Sequence, residues 1–102
     1  METEQFNLTA KDGVELKATS WICPDPKAVI CIVHGLGEHS GRYQHVAAFF
    51  VQNNISVFAF DLRGHGKSQG KRGHTPSHEI LLDDVEEILK AARAEYNDLP
   101  LF

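Results

Sequence analysis

A short, uninterrupted apolar segment followed by a glycine-rich loop constrains the fold of this chain more than any other feature. Residues 28–33 read Ala-Val-Ile-Cys-Ile-Val, which is too short for a helix and is typical of a strand buried on both faces. Three glycines follow within 35–41, and residues 43–50 then carry apolar side chains at helical spacing. Strand, loop and helix in this order predict the first half of a βαβ unit. The loop opens at the carboxyl end of the strand, where open α/β sheets bind ligands.

Two further strands and a second strand–loop–helix segment complete the predicted order. Residues 4–10 and 14–22 have the pattern of a hairpin around an Asp-Gly turn, and the alternation in 14–22 predicts that it is half buried. Residues 55–60 form a second buried strand, which the helix joins to the first by a right-handed parallel crossover. The glycine-rich stretch 61–70 is expected at the same edge of the sheet as the first loop.

A long amphipathic helix is expected over residues 76–96. Thr75 is predicted to cap it and Pro76 to lie in its first turn. Leu81, Val85, Ile88 and Ala92 share one face, while Asp83, Asp84, Glu86 and Glu87 precede Lys90 and Arg93 in the order that suits the helix dipole.

The apolar run that opens at Leu99 is expected to add a strand. A strand such as 28–33 needs a neighbour on each side, and the hairpin and strand 55–60 supply one side only. We therefore expect residues 99–102 on the other side, and an incomplete sheet whose unpaired apolar edge favours self-association.

Composition excludes several classes of partner. The net charge of -4 gives no electrostatic reason for binding nucleic acid, and no apolar run approaches the length of a membrane span. The first four residues, Met-Glu-Thr-Glu, do not resemble a signal peptide, and Cys23 and Cys31 do not have metal-ligand spacing, which together favour a cytoplasmic protein. Six histidines without a ligand pattern on a helix predict no metal site.

Familiar motifs near Gly66-Lys67-Ser68 fail on spacing or context. A P-loop requires a glycine where the chain has Asp61, and both glycine triplets exceed the dinucleotide fingerprint by one residue. Residues 66–70 spell G-x-S-x-G, but Ser68 lies eight residues beyond the strand and no histidine follows the later aspartates. We therefore exclude Ser68 as a nucleophile, and we expect Asp61 to accept backbone hydrogen bonds within its own loop.

The loop His34-Gly35-Leu36-Gly37 has two interpretations. Backbone N–H groups at a tight turn ahead of a helix can point at a developing oxyanion, or the glycines can merely turn the chain.

The two loops together resemble a known family. His-Gly-Leu-Gly-Glu-His-Ser-Gly-Arg-Tyr at 34–43 and Asp-Leu-Arg-Gly-His-Gly-Lys-Ser at 61–68, separated by one helix and one strand, are similar to the α/β-hydrolases of the monoacylglycerol lipase and lysophospholipase group, also classed as serine aminopeptidase-like. The resemblance covers nearly the whole chain. It implies that residues 1–102 are the N-terminal portion of a single α/β-hydrolase domain, with strand 28–33 between strand 55–60 and a strand starting near Leu101.

The resemblance also implies a site and a chemistry. Leu36 would supply an oxyanion-hole N–H, with His34, Gly35 and Gly37 supporting the loop, in a cofactor-free serine hydrolase acting on a small acyl ester or lysolipid. Such a substrate would allow peripheral contact with a membrane. The family's nucleophile, Asp and His follow a strand like 99–102, so no triad is expected within these residues and the chain alone is expected to be inactive. Thioesterase, peptidase and epoxide hydrolase activities stay open, as does a non-catalytic module that pairs through its sheet edge.

Overall fold

The computed structural model of the protein describes residues 2–34, 43–73 and 77–102. Within these ranges it forms a four-stranded mixed sheet, in the order β1-β2-β4-β3, with two helices. The elements are β1 Glu2–Thr9, β2 Glu15–Ile22, β3 Ala28–Val33, α1 Gln44–Gln52, β4 Ile55–Phe60 and α2 His78–Glu95. The predicted α/β class and element order are confirmed. None of the helices in these ranges is long and apolar enough to cross a membrane.

The hairpin of β1 and β2 is antiparallel and in register from Glu2↔Ile22 to Thr9↔Glu15. Its turn contains Gly13 at a φ of +90°, a conformation that glycine adopts without steric cost. Leu16 and Ala18 are fully buried, whereas the intervening Lys17 is half buried. The alternation predicted for this strand is confirmed.

Strand β3 has a neighbour on each side. It pairs in parallel with β4 from Ala28↔Ile55 to Val33↔Phe60, and β4 in turn pairs antiparallel with β2. On its other side, the Val29 N–H donates to the Pro100 carbonyl and the Cys31 N–H donates to the Phe102 carbonyl, both at 2.9 Å. The prediction that the run from Leu99 lies beside this strand is confirmed.

The sheet is covered on both faces, which explains the continuous hydrophobicity of β4. Phe58 and Phe60 belong to a core that includes Ile88 of α2. Val57 and Ala59 point to the opposite face, because side chains alternate along a strand, and pack with Trp21 and Ala47 in a second cluster on the α1 side. The two loops at the strand ends are therefore mounted on a sheet that is packed from both sides.

The predicted start of α2 is wrong. The helix begins at His78, and Ser77 is its N-cap, with a hydroxyl that accepts a hydrogen bond from the Ile80 N–H at 3.2 Å. Serine is a better N-cap than threonine, and the extended backbone of Ser77 places its side chain at the open amides of the first turn. Thr75 and Pro76 lie outside the described residues, ahead of this cap.

Candidate active site

The candidate site lies at the carboxyl edge of the parallel pair β3 and β4. Strand β3 ends at Val33 and is followed by His34, while β4 ends at Phe60 and is followed by Asp61. Because the two strands are parallel and Val33 pairs with Phe60, both loops leave the sheet at one edge. The predicted meeting of the two strand ends is confirmed. We call residues 61–73 the rim loop.

A hydrogen bond to the His34 ring connects the end of β3 to the rim loop. His34 is buried, and its Nε2 accepts from the Leu62 N–H at 2.8 Å. A ring nitrogen that accepts carries no proton, so the neutral ring is protonated on Nδ1. The His65 ring lies 5.4 Å away, centroid to centroid, and its Nδ1 is 3.0 Å from the Arg63 carbonyl oxygen. His34 is thus held in two ways: its backbone continues directly from β3, and its side chain bonds to the rim loop.

The predicted oxyanion residues fall beyond His34. Gly35, Leu36 and Gly37 lie in 35–42, outside the described residues. Their assignment to the oxyanion hole therefore stays a prediction.

Asp61 holds its own loop, as predicted. It is buried, and its Oδ2 accepts from the Lys67 N–H at 3.0 Å. Gly66 approaches this carboxylate with a φ of +49°, and a Cβ at that position would lie 2.4 Å from the Asp61 Oδ2. Two features therefore favour glycine at position 66: the positive φ, and the close approach of the Asp61 carboxylate, which leaves no room for a Cβ.

Ser68 fastens the rim loop to the sheet. Its hydroxyl donates to the Asp61 carbonyl at 2.5 Å and accepts from the Lys17 N–H at 2.8 Å, and the side chain is buried. Gln69 extends the attachment, because its N–H donates to the Glu15 carbonyl at 2.9 Å. The bonds of Ser68 agree with its exclusion as a nucleophile, since its oxygen is committed on both sides and no helix follows it directly.

An ion-pair cluster that the sequence analysis missed anchors the other side of the rim loop. The buried Arg63 guanidinium donates from Nε and Nη2 to Asp84 of α2, at 3.0 and 3.1 Å, and from Nη1 and Nη2 to Asp12 of the hairpin turn, at 2.6 and 2.9 Å. The planar guanidinium thus forms two hydrogen bonds with each of the two carboxylates, the bidentate arrangement that is typical of arginine. Hydrogen bonds from Arg63 lower the pKa of Asp12 to about 2, and those to Asp12 and Asp84 raise the pKa of Arg63.

The spacing of α2 contained a signal for this cluster. Asp84, Ile88 and Ala92 are all buried, and they stand four residues apart, which places them on one face. An aspartate on the buried, otherwise apolar face of a helix requires a hydrogen-bonding or positively charged partner in the interior. The helix-dipole interpretation grouped Asp84 with its exposed neighbours and overlooked that register.

The site offers a rigid edge rather than a complete catalytic set. Across the described ranges, no group of three or more His, Cys, Asp or Glu residues could hold a metal ion. The His34, Asp61 and Ser68 side chains of this edge instead fix the rim loop to the end of β3 and to β2. Preorganised backbone donors on such an edge can stabilise charge that develops on a substrate.

The architecture identifies the class. A β1-β2 hairpin, a parallel β3-β4 pair joined by a helix and two loops at one carboxyl edge reproduce part of an α/β-hydrolase fold. The chain superposes over its full length on a carboxyl esterase of Bacillus coagulans with a TM-score of 0.89, at 28% sequence identity, and covers 35% of that chain.

Sequence comparison identifies the family. Residues 24–102 match the model of the family described as serine aminopeptidase, S33, and the chain belongs to this family of hydrolases. Over 97 residues it is 40% identical to a monoacylglycerol lipase of Mycolicibacterium smegmatis and 39% identical to human monoglyceride lipase, with 94% of this chain aligned in each case. These alignments cover 35% and 32% of the two lipases, so the chain spans about a third of the length of these curated relatives.

Proposed function

We propose that residues 1–102 are the N-terminal portion of an α/β-hydrolase domain that cleaves carboxylic esters of glycerol or lysophospholipid. In this proposal the chain supplies the oxyanion-binding edge. The attacking serine and its histidine and acidic partners come from outside these residues, because the described serines near the edge are structural and no elbow follows a strand within them.

The Leu36 N–H is the proposed oxyanion donor. Gly35 and Gly37 would allow the tight turn that directs it toward the acyl oxygen, and His34 would position the loop. When the serine attacks the acyl carbon, negative charge moves onto the carbonyl oxygen, and one preorganised donor there is worth about 3 kcal/mol.

The observation that carries the proposal is the bond between the His34 Nε2 and the Leu62 N–H. It fixes the first residue of the glycine loop to the rim loop, at 2.8 Å, inside a packed edge. This attachment holds the start of the glycine loop at the carboxyl edge of the sheet, where the proposal requires it. The lipase names of the relatives support an ester substrate.

A hybrid enzyme tests the proposal. Residues 24–102 would replace the aligned segment of the Mycolicibacterium smegmatis monoacylglycerol lipase, and hydrolysis of monoacylglycerol and lysophosphatidylcholine would be measured. We expect the hybrid to retain ester hydrolysis and the 102-residue chain alone to show none. A folded hybrid with no esterase activity would contradict the proposal, and preferential cleavage of a thioester, a peptide or an epoxide would replace the substrate class.

A second candidate function is association through the edge of the sheet formed by the carboxyl end of β3 and residues 100–102, which pair with β3. Val33 at the end of that strand is 45% exposed, and Phe102 on the neighbouring segment is 74% exposed. Such apolar groups on a strand edge favour pairing with another chain. Sedimentation at increasing concentration separates the two cases, since a monomer at every concentration would exclude self-association.

A further inference from the structure

A cavity of about 240 Å³ lies on the α2 face of the sheet. Glu4, Ser20 and Phe58 are cross-strand partners and form one row across β1, β2 and β4. The cavity opens over this row, and Ala91 and Glu95 of α2 close its far side.

This cavity is separate from the candidate active site. The row that contains Phe58 lies two residues nearer the amino end of β4 than Phe60, after which the rim loop begins. The lining side chains include none of the rim-loop residues.

The floor of the cavity is apolar and partly aromatic. Phe6 and Ile22 line it beside Phe58, and the Phe6 and Phe58 rings meet edge to face with centroids 6.3 Å apart. Apolar walls with a few convergent polar groups are the usual composition of a small-molecule site.

Ser20 supplies a buried polar group in this floor. The residue is 5% exposed and lines the cavity, and in ranges 2–34, 43–73 and 77–102 its hydroxyl has no hydrogen-bond partner. The hydroxyl is not sealed from the cavity, so a ligand there can form a hydrogen bond with it in place of water.

The mouth of the cavity is negatively charged. Glu4 and Glu95 line it and are exposed, and among the described residues neither carboxylate takes part in an ion pair. Glu95 is also the last residue of α2, where the helix dipole adds negative potential. The two carboxylates and the helix end give this mouth a negative potential, which favours a cationic ligand.

We infer that the cavity binds a small organic ammonium ion that carries an apolar, preferably aromatic, substituent. The ammonium group would lie between Glu4 and Glu95 and donate one N–H to the Ser20 hydroxyl. The substituent would lie against Phe6 and Phe58, where it is removed from water. This inference does not depend on the proposed hydrolysis.

Titration of the protein with 2-phenylethylammonium, followed by ¹H–¹⁵N NMR, tests the inference. The amide resonances of Ser20 and Ala91 are expected to shift. The neutral analogue 2-phenylethanol should bind about two- to thirtyfold more weakly, the effect of two exposed charge pairs. Equal affinity for both compounds, or shifts confined to other parts of the sheet, would overturn the inference.

Variants locate the binding determinants. The double variant Glu4→Gln/Glu95→Gln should lose that two- to thirtyfold preference for the ammonium compound, because the substitutions remove only the two charges. Glu79→Gln, an exposed glutamate at the other end of α2, is the matched control and should bind as the parent does. Ser20→Ala keeps the cavity and should weaken 2-phenylethylammonium several-fold. Undiminished binding to the double variant, with dispersed spectra, would contradict the site.

Discussion

Removing the Arg63 guanidinium is expected to destabilise the protein more than any surface change of charge. In Arg63→Met, the Asp84 carboxylate would lose both of its guanidinium bonds while its side chain stays only 2% exposed. An uncompensated buried charge costs about 3–5 kcal/mol. Globular proteins have a total stability of about 5–15 kcal/mol, so this loss should remove at least about a fifth of it.

Urea unfolding measures this loss, and the single tryptophan provides the signal. Trp21 is buried in the α1-side cluster, so its fluorescence reports unfolding directly. With a denaturant slope of about 1.5 kcal/mol/M, the midpoint should fall by roughly 2–3 M. Lys90→Met removes a cation from exposed pairs on α2 and should change stability by no more than about 0.5 kcal/mol.

A double-mutant cycle distinguishes a buried ion pair from general disruption of the loop. Asp84→Leu alone leaves Arg63 paired only to Asp12, and it should also destabilise. Arg63→Met/Asp84→Leu removes both buried charges and should be more stable than Arg63→Met, since apolar replacement of a buried pair is often neutral. If the two single losses simply add, or if Arg63→Met costs less than about 1 kcal/mol, the account of this cluster is refuted.

Three further predictions follow from the same contacts. Gly66→Ala introduces a Cβ that would collide with the Asp61 carboxylate. It should lower the free energy of unfolding by much more than the roughly 1 kcal/mol expected for Gly73→Ala, because Gly73 has a similar positive φ but open space around it. Equal urea midpoints for the two variants would contradict this prediction. The Arg63 bonds lower the pKa of Asp12 from 3.8 to about 2, so the stability that this carboxylate contributes is complete above about pH 4 and is lost as the pH falls through 2. Asp12→Asn should therefore reduce the loss of stability at acid pH in a profile of unfolding free energy against pH. An unchanged acid limb would refute the assignment. Ser77→Ala should cost about 1 kcal/mol as loss of a cap, and Thr75→Ala should cost clearly less; thermal unfolding followed by circular dichroism ranks the two.

Local sequence patterns were sufficient to predict the framework. The apolar runs at β3 and β4 predicted two parallel strands correctly. Burial on both faces is confirmed for β4, whereas in β3 only Ala28 and Val29 are buried, residues 30–32 are half buried and Val33 is exposed. Because β3 needs a second neighbour, residues 99–102 were also predicted correctly to lie beside it, although their own sequence is equally typical of a frayed tail.

Contacts between distant elements were harder to predict. The bonds of Ser68 to Lys17 and of Arg63 to Asp12 each span 51 residues and depend on how the rim loop folds back over β2. The start of α2 was missed for a local reason, since the prediction gave more weight to Pro76, which favours a helix start directly after Thr75, than to the better capping residue Ser77.

The resemblance and the comparisons agree on the family, but the chemistry depends on one amide. The pattern at 34–37 could equally describe a turn, and the family resemblance alone assigned Leu36 its role. The bond between His34 and Leu62 supports that assignment by holding the start of the loop at the edge of the sheet.

Turnover by the hybrid lipase with Leu36→Pro tests the central proposal most directly. Proline removes the backbone N–H, whereas Leu36→Ala keeps it and controls for loss of the side chain. We predict that kcat falls about 10²–10³-fold in Leu36→Pro and changes little in Leu36→Ala. Equal activity of the two folded variants would contradict the assignment of this amide to the oxyanion.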